Sequence, residues 1–313
     1  MADPRPVGVI GAGLVGSGWA LVFARAGYPV RVYDPLPEVR ARVLPWARQS
    51  LADLQTAGLV GEADAILSRI TLCDTVQAAV AGAFYVQESV FETVAAKTEA
   101  SLAIDAVMDA DAVVGSSSSG IPASKFTETC AHRARFLVVH PVNPPHLVPV
   151  VELVPAPWTA PDAVDLAADL MRQVEQVPVR LTREIDGFVL NRLQGVLLNE
   201  AWALYQDGIA SLADIDATIA HGLGLRWAFM GPFETIDLNA PGGIEDYAAR
   251  LRGLYAGMVR HPAPGPWPDA VIAAATAERR AALPAADLTQ RRAWRDGILG
   301  RLIAFKKQNR LSG

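Results

Sequence analysis

Three sets of residues in this 313-residue chain have the types and spacing to do chemistry together. The first is His140 with Glu152, twelve positions later in the apolar run Val150-Val151-Glu152-Leu153-Val154. A carboxylate among apolar neighbours is costly without a partner. An imidazole is such a partner: the carboxylate fixes its tautomer and stabilises the imidazolium once a proton has been taken. The second set is Ser116-Ser117-Ser118-Ser119-Gly120, hydroxyls that directly follow an apolar stretch. The third is Gly11-x-Gly13-x-x-Gly16, with Asp34 eighteen positions after its last glycine. Gly11 permits a tight turn, Gly13 lets the backbone approach a pyrophosphate, and Gly16 lets a helix pack on the preceding strand. Leu14 and Val15 open that helix, whose free N–H groups and dipole favour an anion. Asp34 is placed to accept from adenosine ribose hydroxyls and to repel a 2′-phosphate, so the expected cofactor is NAD and not NADP. A lone histidine is more often structural than catalytic. Beside a carboxylate, a nicotinamide site and a serine cluster, His140 is the expected base of a hydride transfer from a secondary alcohol.

These groups need strands to carry them. Apolar runs at 7–10, 30–33, 70–72, 83–87, 112–115, 136–139 and 148–154 predict strands. Helical patterns follow the glycines to Gly27 and recur at 38–56, 65–68 and 92–103. Strands alternating with helices predict a parallel sheet covered on both faces, with the serines and His140 at its carboxyl edge. Beyond Ile185-Asp186-Gly187 the periodicity turns helical, at 188–206, 211–220, 244–258, 269–282 and 289–308, with Ser211 and Thr289 as expected N-caps. Pro262 to Pro268 is expected to be a connector. The expected architecture is therefore an α/β Rossmann-type NAD-binding domain over 1–184 and an all-helical substrate and dimerisation domain over 185–313. In the helix at 188–206, Leu190, Leu193, Val196, Leu197 and Leu204 spread around the barrel, which predicts burial by more than its own domain.

Composition excludes several classes. Half the residues (51%) are hydrophobic, yet no run of eighteen is free of interruption, so no membrane span is expected. Basic and acidic side chains number 28 and 33, a net charge of −5 that argues against a nucleic-acid partner. Cys73 and Cys130 lack the spacing of a zinc site, no metal is expected, and the lack of room for a leader before Gly11 suggests a cytoplasmic protein. Lysine occurs only at 97, 125, 306 and 307.

Three segments carry a family resemblance: His140-Pro-Val-Asn-Pro-Pro, then Val148-Pro-Val-Val-Glu152-Leu-Val-Pro, then Gly187-Phe-Val-Leu-Asn191-Arg192-Leu. They resemble the 3-hydroxyacyl-CoA dehydrogenase superfamily. With Gly222-Leu-Gly-Leu-Arg226-Trp-Ala-Phe-Met-Gly231, they are similar to its lambda-crystallin branch, the L-gulonate 3-dehydrogenases. The resemblance covers nearly the whole chain. It implies a catalytic set of Ser119, His140, Glu152 and Asn191, with Ser118 as the alternative serine. Ser119 and Asn191 would bind the substrate oxygen. It also places Glu92 and Lys97, an otherwise ordinary Glu-x-x-x-x-Lys, beside the nicotinamide ribose, and implies a dimer.

The substrate follows from charge. The resemblance implies that CoA-using members hold the CoA phosphates with a lysine-rich helical excursion after the second strand. Here residues 49–68 contain no Lys or Arg and three acids, Asp53, Glu62 and Asp64. A small free L-3-hydroxy acid of the L-gulonate kind is expected instead, with Arg226 as a bidentate partner for its carboxylate. The alternatives are L-carnitine, whose quaternary ammonium calls for aromatic faces, and a 3-hydroxyacyl-CoA. Trp227, Phe229 and Phe233 are candidates for such faces, though their apolar neighbours place them in a core. A non-catalytic NAD-binding structural protein is the remote alternative.

Overall fold

The computed structural model describes residues 5–258 and 267–309. Within them the chain forms two compact units. One runs through Arg192 and takes in Asp296–Ala304; the other holds the described residues of Leu193–Arg295 and those from Phe305 onward.

The first unit is built on β1 (Val7–Ile10), α1 (Leu14–Arg25), β2 (Val30–Tyr33), α2 (Pro37–Thr56), α3 (Ala63–Leu67), β3 (Ile70–Leu72), α4 (Val76–Val80), β4 (Tyr85–Glu88), α5 (Val94–Asp105), β5 (Val113–Ser116), β6 (Phe136–Pro141), β7 (Val150–Pro155), α6 (Pro161–Gln173) and β8 (Val177–Arg180). Its eight strands lie in the order β3-β2-β1-β4-β5-β6-β7-β8. This is a Rossmann-type sheet, with its switch point between β1 and β4. β1, β4 and β5 are buried at every position, as strands covered on both faces must be. Trp19 to Ala24 of α1 are all buried, which makes that helix part of the core rather than a surface layer.

The expected parallel sheet has one exception. β6 and β7 are antiparallel, and their register sets His140 opposite Glu152. Only residues 142–149 join them, too few for the crossover that a parallel pair requires. β8, at the sheet edge, was not expected, because Pro178 interrupts its pattern; a proline is tolerated on an edge strand. Nor was α6, although its buried Ala163, Ala167, Leu170 and Met171 recur on one helix face.

The first unit reaches past residue 184 for identifiable reasons. Val189 N and Leu190 N donate to Glu152 Oε1 (2.8 and 2.9 Å), and Leu299 packs against the main core. A Cβ at Gly300 would touch Ala57 Cβ at 3.4 Å.

The second unit is helical. It carries most of α7 (Leu190–Gln206), then α8 (Leu212–Thr218), a π-helical turn (Ile219–Leu223), α9 (Gly224–Trp227), α10 (Pro232–Leu238), α11 (Gly243–Met258), α12 (Asp269–Ala282) and parts of α13 (Leu288–Gln308). Ser211 caps α8: its hydroxyl accepts from Asp214 N (3.1 Å) and donates to Asp214 Oδ2 (2.6 Å). Thr289 is not a cap. α13 starts one residue earlier, after Asp287, and the Thr289 hydroxyl accepts from Arg292 Nη2 instead. Of the expected Pro262–Pro268 connector, residues 262–266 lie outside the described residues. Trp227, Phe229 and Phe233, expected in a core, are exposed (40%, 49% and 74%). Among the described residues of 193–295, only Ala203, Thr235 and Ala275 are buried.

Candidate active site

The glycine turn joins β1 to α1. Gly11 has φ +93°, a left-handed conformation, and a Cβ there would come within 2.6 Å of the Ser89 backbone. At Gly16 a Cβ would fall 1.8 Å from Gly11 O, so helix and turn close only with glycine at both places. Gly13 differs: a Cβ there would meet nothing within 4 Å, leaving its backbone open to a ligand. No side chain caps α1, so the amides of its first turn, at Leu14 and Val15, remain available to an anion. Asp34, just beyond β2, accepts from Ala12 N through Oδ2 (2.9 Å) and from Leu36 N through Oδ1 (3.0 Å). An open glycine, an uncapped helix and a fixed carboxylate fit the pyrophosphate and ribose of a dinucleotide.

The four serines separate by burial. Ser116 is the last residue of β5 and bonds Glu88 Oε2. Ser118 is fully buried; its hydroxyl accepts from Ile121 N (3.0 Å) and lies within donating distance of Ile121 O (2.7 Å) and Glu92 Oε1 (2.9 Å). Ser119 is exposed. Glu92 gathers this loop, because its Oε1 also accepts from Ser119 N (2.8 Å), Ser119 Oγ (3.2 Å) and Gly120 N (3.1 Å). Lys97, buried in α5, lies 3.3 Å from Glu92 Oε2 and 3.2 Å from Glu88 Oε1. Burial pushes the Glu92 carboxyl up, but Lys97, the Ser118 hydroxyl and the two amides outweigh it and hold the group below its ordinary range. The sequence reading missed Glu88. The signal that exposed Glu152, a carboxylate in an apolar strand, is present at Glu88 too, where it closes Tyr85-Val86-Gln87-Glu88.

The antiparallel register brings His140 Nδ1 to 2.8 Å from Glu152 Oε2. Both side chains are buried, and the fully buried Phe188 ring lies 5.6 Å from the imidazole. A carboxylate only accepts, so Nδ1 carries a proton, and the neutral tautomer this contact selects has its lone pair on Nε2, the form of a general base. Glu152 Oε1 takes the first amides of α7, as described above. Burial raises the Glu152 carboxyl, whereas the bond from His140 and the amides of Leu190 and Val189 lower it, for a net position below the ordinary range. One residue further along α7, Asn191 Nδ2 donates to Ser119 O (2.5 Å). The head of α7 thus ties the His140–Glu152 pair to the serine loop. Arg226 belongs to the second unit, where it is exposed on α9.

Residues 6–185 match the family model described as 3-hydroxyacyl-CoA dehydrogenase, NAD binding domain, and residues 187–284 match its C-terminal domain. The chain is 44% identical to a lambda-crystallin homolog of Bos taurus over 315 residues, 97% of each protein. It is 39% identical to an L-carnitine dehydrogenase of Streptomyces griseus over 243 residues, covering 77% of this chain and 72% of that one. Among solved structures it resembles the NAD+-dependent dismutase 5-formyl-3-hydroxy-2-methylpyridine 4-carboxylic acid 5-dehydrogenase. There the TM-score is 0.75 at 29% identity, with 84% of each chain covered.

Proposed function

The chain belongs to the 3-hydroxyacyl-CoA dehydrogenase family, and from that premise we propose that this NAD-dependent oxidoreductase oxidises the 3-hydroxyl of a small free L-3-hydroxy acid, L-gulonate-like, to the 3-oxo acid. The observation that carries the choice of a free acid is the surface between the second half of α2 and α3, beyond Arg40 and Arg42 at the start of α2. A cleft of about 430 Å³ there is lined by Gln55, Glu62 and Asp64, and its one cation, Arg48, lies 3.3 Å from Asp64. A CoA tail brings several phosphate charges, which this surface repels. The likeness to a dehydrogenase named for a pyridine carboxylic acid supports the same reading.

In this reaction His140 Nε2 takes the hydroxyl proton. Glu152 holds the ring in the required tautomer and balances the imidazolium that forms. The exposed Ser119 and the amide of Asn191 bond the substrate oxygen, while the buried Ser118 shapes the loop. Glu92 and Lys97 flank the cofactor side of that loop. NAD, held by the glycine turn and Asp34, would supply the hydride acceptor for the carbinol carbon. Arg226 takes the substrate carboxylate as a bidentate partner.

A second reading, an L-carnitine-like substrate, draws on the exposure of Trp227, Phe229 and Phe233, aromatic faces of the kind a quaternary ammonium binds. Initial rates of NADH formation with L-gulonate, L-carnitine, 3-hydroxybutyrate and 3-hydroxybutyryl-CoA separate the readings. A kcat/KM highest for the thioester would refute the free-acid assignment. The scarcely buried second unit, with Leu193, Val196 and Leu197 exposed on α7, supports a homodimer through this unit. Light scattering that returned one chain mass at micromolar concentration would refute it. The two free, buried cysteines suit a cytoplasmic setting.

A further inference from the structure

The chain leaves β4 at Ser89, directly beside the glycine turn. Ser89 N donates to Ile10 O (2.7 Å), and a Cβ at Gly16 would lie 3.4 Å from Ser89 Cβ. The side chain is half-buried, and its hydroxyl meets Ser117 Oγ at 2.8 Å. Two further groups reach the same Ser117 oxygen: Trp19 Nε1 at 3.1 Å and Gln87 Nε2 at 2.8 Å.

Counting donors and acceptors gives every one of these bonds a direction. An indole N–H only donates. The Gln87 amide is oriented by Val139 O, which accepts from Nε2 (3.3 Å), and by Tyr85 Oη, which donates to Oε1 (2.6 Å). Both lone pairs of Ser117 Oγ are therefore taken, and its proton goes to Ser89 Oγ. Ser89 accepts from inside the protein and keeps a proton that no described residue accepts. A hydroxyl filled from below donates outward. In a sheet of this order, a dinucleotide lies across the carboxyl ends at the switch between β1 and β4, the two strands whose ends carry Gly11 and Ser89.

We infer that Ser89 donates a hydrogen bond to an oxygen of the pyrophosphate–ribose link of NAD, on the nicotinamide side, aimed there by the Trp19–Gln87–Ser117 network. The inference rests on NAD binding and is independent of which alcohol is oxidised.

Equilibrium titration of the full chain with NAD+, ADP-ribose and AMP, in the absence of substrate, tests it. Ser89→Ala is expected to weaken NAD+ and ADP-ribose about tenfold, the size of one such bond, and to leave AMP within about twofold. Ser89→Thr, which keeps the hydroxyl, retains the affinity. Should Ser89→Ala fail to fold, Ser89→Cys keeps the bulk and gives up the strong donor, with the same expected loss. Unchanged ADP-ribose affinity in the folded variant, or an equal loss for AMP, overturns the assignment.

Discussion

Replacing Glu152 with glutamine changes one oxygen into an amide nitrogen and, by the geometry of the site, moves a proton on His140. Glu152 receives three donors: His140 Nδ1–H on Oε2, and the amides of Val189 and Leu190 on Oε1. A carboxamide has only one oxygen. Facing it toward α7 satisfies two amides; facing it toward His140 satisfies one donor and leaves two N–H groups opposed by an NH2. Each unsatisfied buried donor costs roughly 1–3 kcal/mol, so the oxygen stays with α7. The NH2 then confronts Nδ1, which must become the acceptor, and the ring proton moves to Nε2, where the base lone pair had been. A misplaced tautomer in a comparable base–carboxylate pair costs on the order of 10⁴ in turnover. Glu152→Gln is therefore expected to lower kcat by about 10³ to 10⁴, with the Kd for NAD+ changed less than about threefold, because none of these bonds touches the glycine turn. Steady-state rates with the best substrate and nucleotide titration give the two numbers, and ¹⁵N imidazole spectra show which nitrogen is protonated. A variant with more than a tenth of the parent kcat, or one whose His140 keeps its proton on Nδ1, would refute the reasoning.

Four further outcomes are expected. His140→Gln should lose most of kcat while binding NAD+ normally; near-parent turnover would remove His140 as the base. Asp34→Ala removes the carboxylate that would repel a 2′-phosphate and frees the Ala12 and Leu36 amides, so NAD+ should weaken about tenfold and its preference over NADP+ should shrink; an unchanged preference in competition titrations would contradict the role given to Asp34. Gly115→Ala would set a Cβ 2.1 Å from Tyr85 Oη and 2.6 Å from Val139 Cγ2, and Tyr85 is fully buried, so urea unfolding should show a loss of about 1–3 kcal/mol; an unaffected midpoint would mean the sheet yields there. Glu92 and Glu152 both sit below the ordinary glutamate value of 4.5, so the unfolded chain binds more protons in acid than the folded one. The stability they contribute is fully present above pH 4.5 and is lost as the pH falls below it; Tm in that window should drop less steeply in Glu152→Gln, and parallel slopes would count against the site.

The parts of the fold legible in the sequence are those where one residue type has one steric or solvation explanation. Gly11 and Gly16 are needed because backbone atoms stand where a Cβ would be, and Glu152 was found because a carboxylate in an apolar run must have a partner. Glu88 obeys the same rule and was overlooked, since it closes its strand and resembles the start of a loop. Lys97 could not be placed by pattern: nothing in the spacing of α5 distinguishes a buried ammonium from a solvated one, and it is the carboxylates of Glu88 and Glu92, with the Phe126 ring 5.9 Å away, that make the burial tolerable. Four identical serines carry no information about which is exposed until the backbone turns at the end of β5. In the second unit, Trp227, Phe229 and Phe233 read as core because apolar composition identifies what prefers burial, not what finds it within one chain.

Glu152 also joins two properties that are separate in most proteins. The carboxylate that supports His140 is the one that holds the first amides of α7, just after Gly187 and Phe188 bend the backbone into left-handed conformations. A single proton arriving on Glu152 therefore withdraws both favours at once. Acid inactivation and fraying of the chain at Val189 and Leu190 become the same titration, and amide exchange at those two positions becomes a thermometer of catalytic competence.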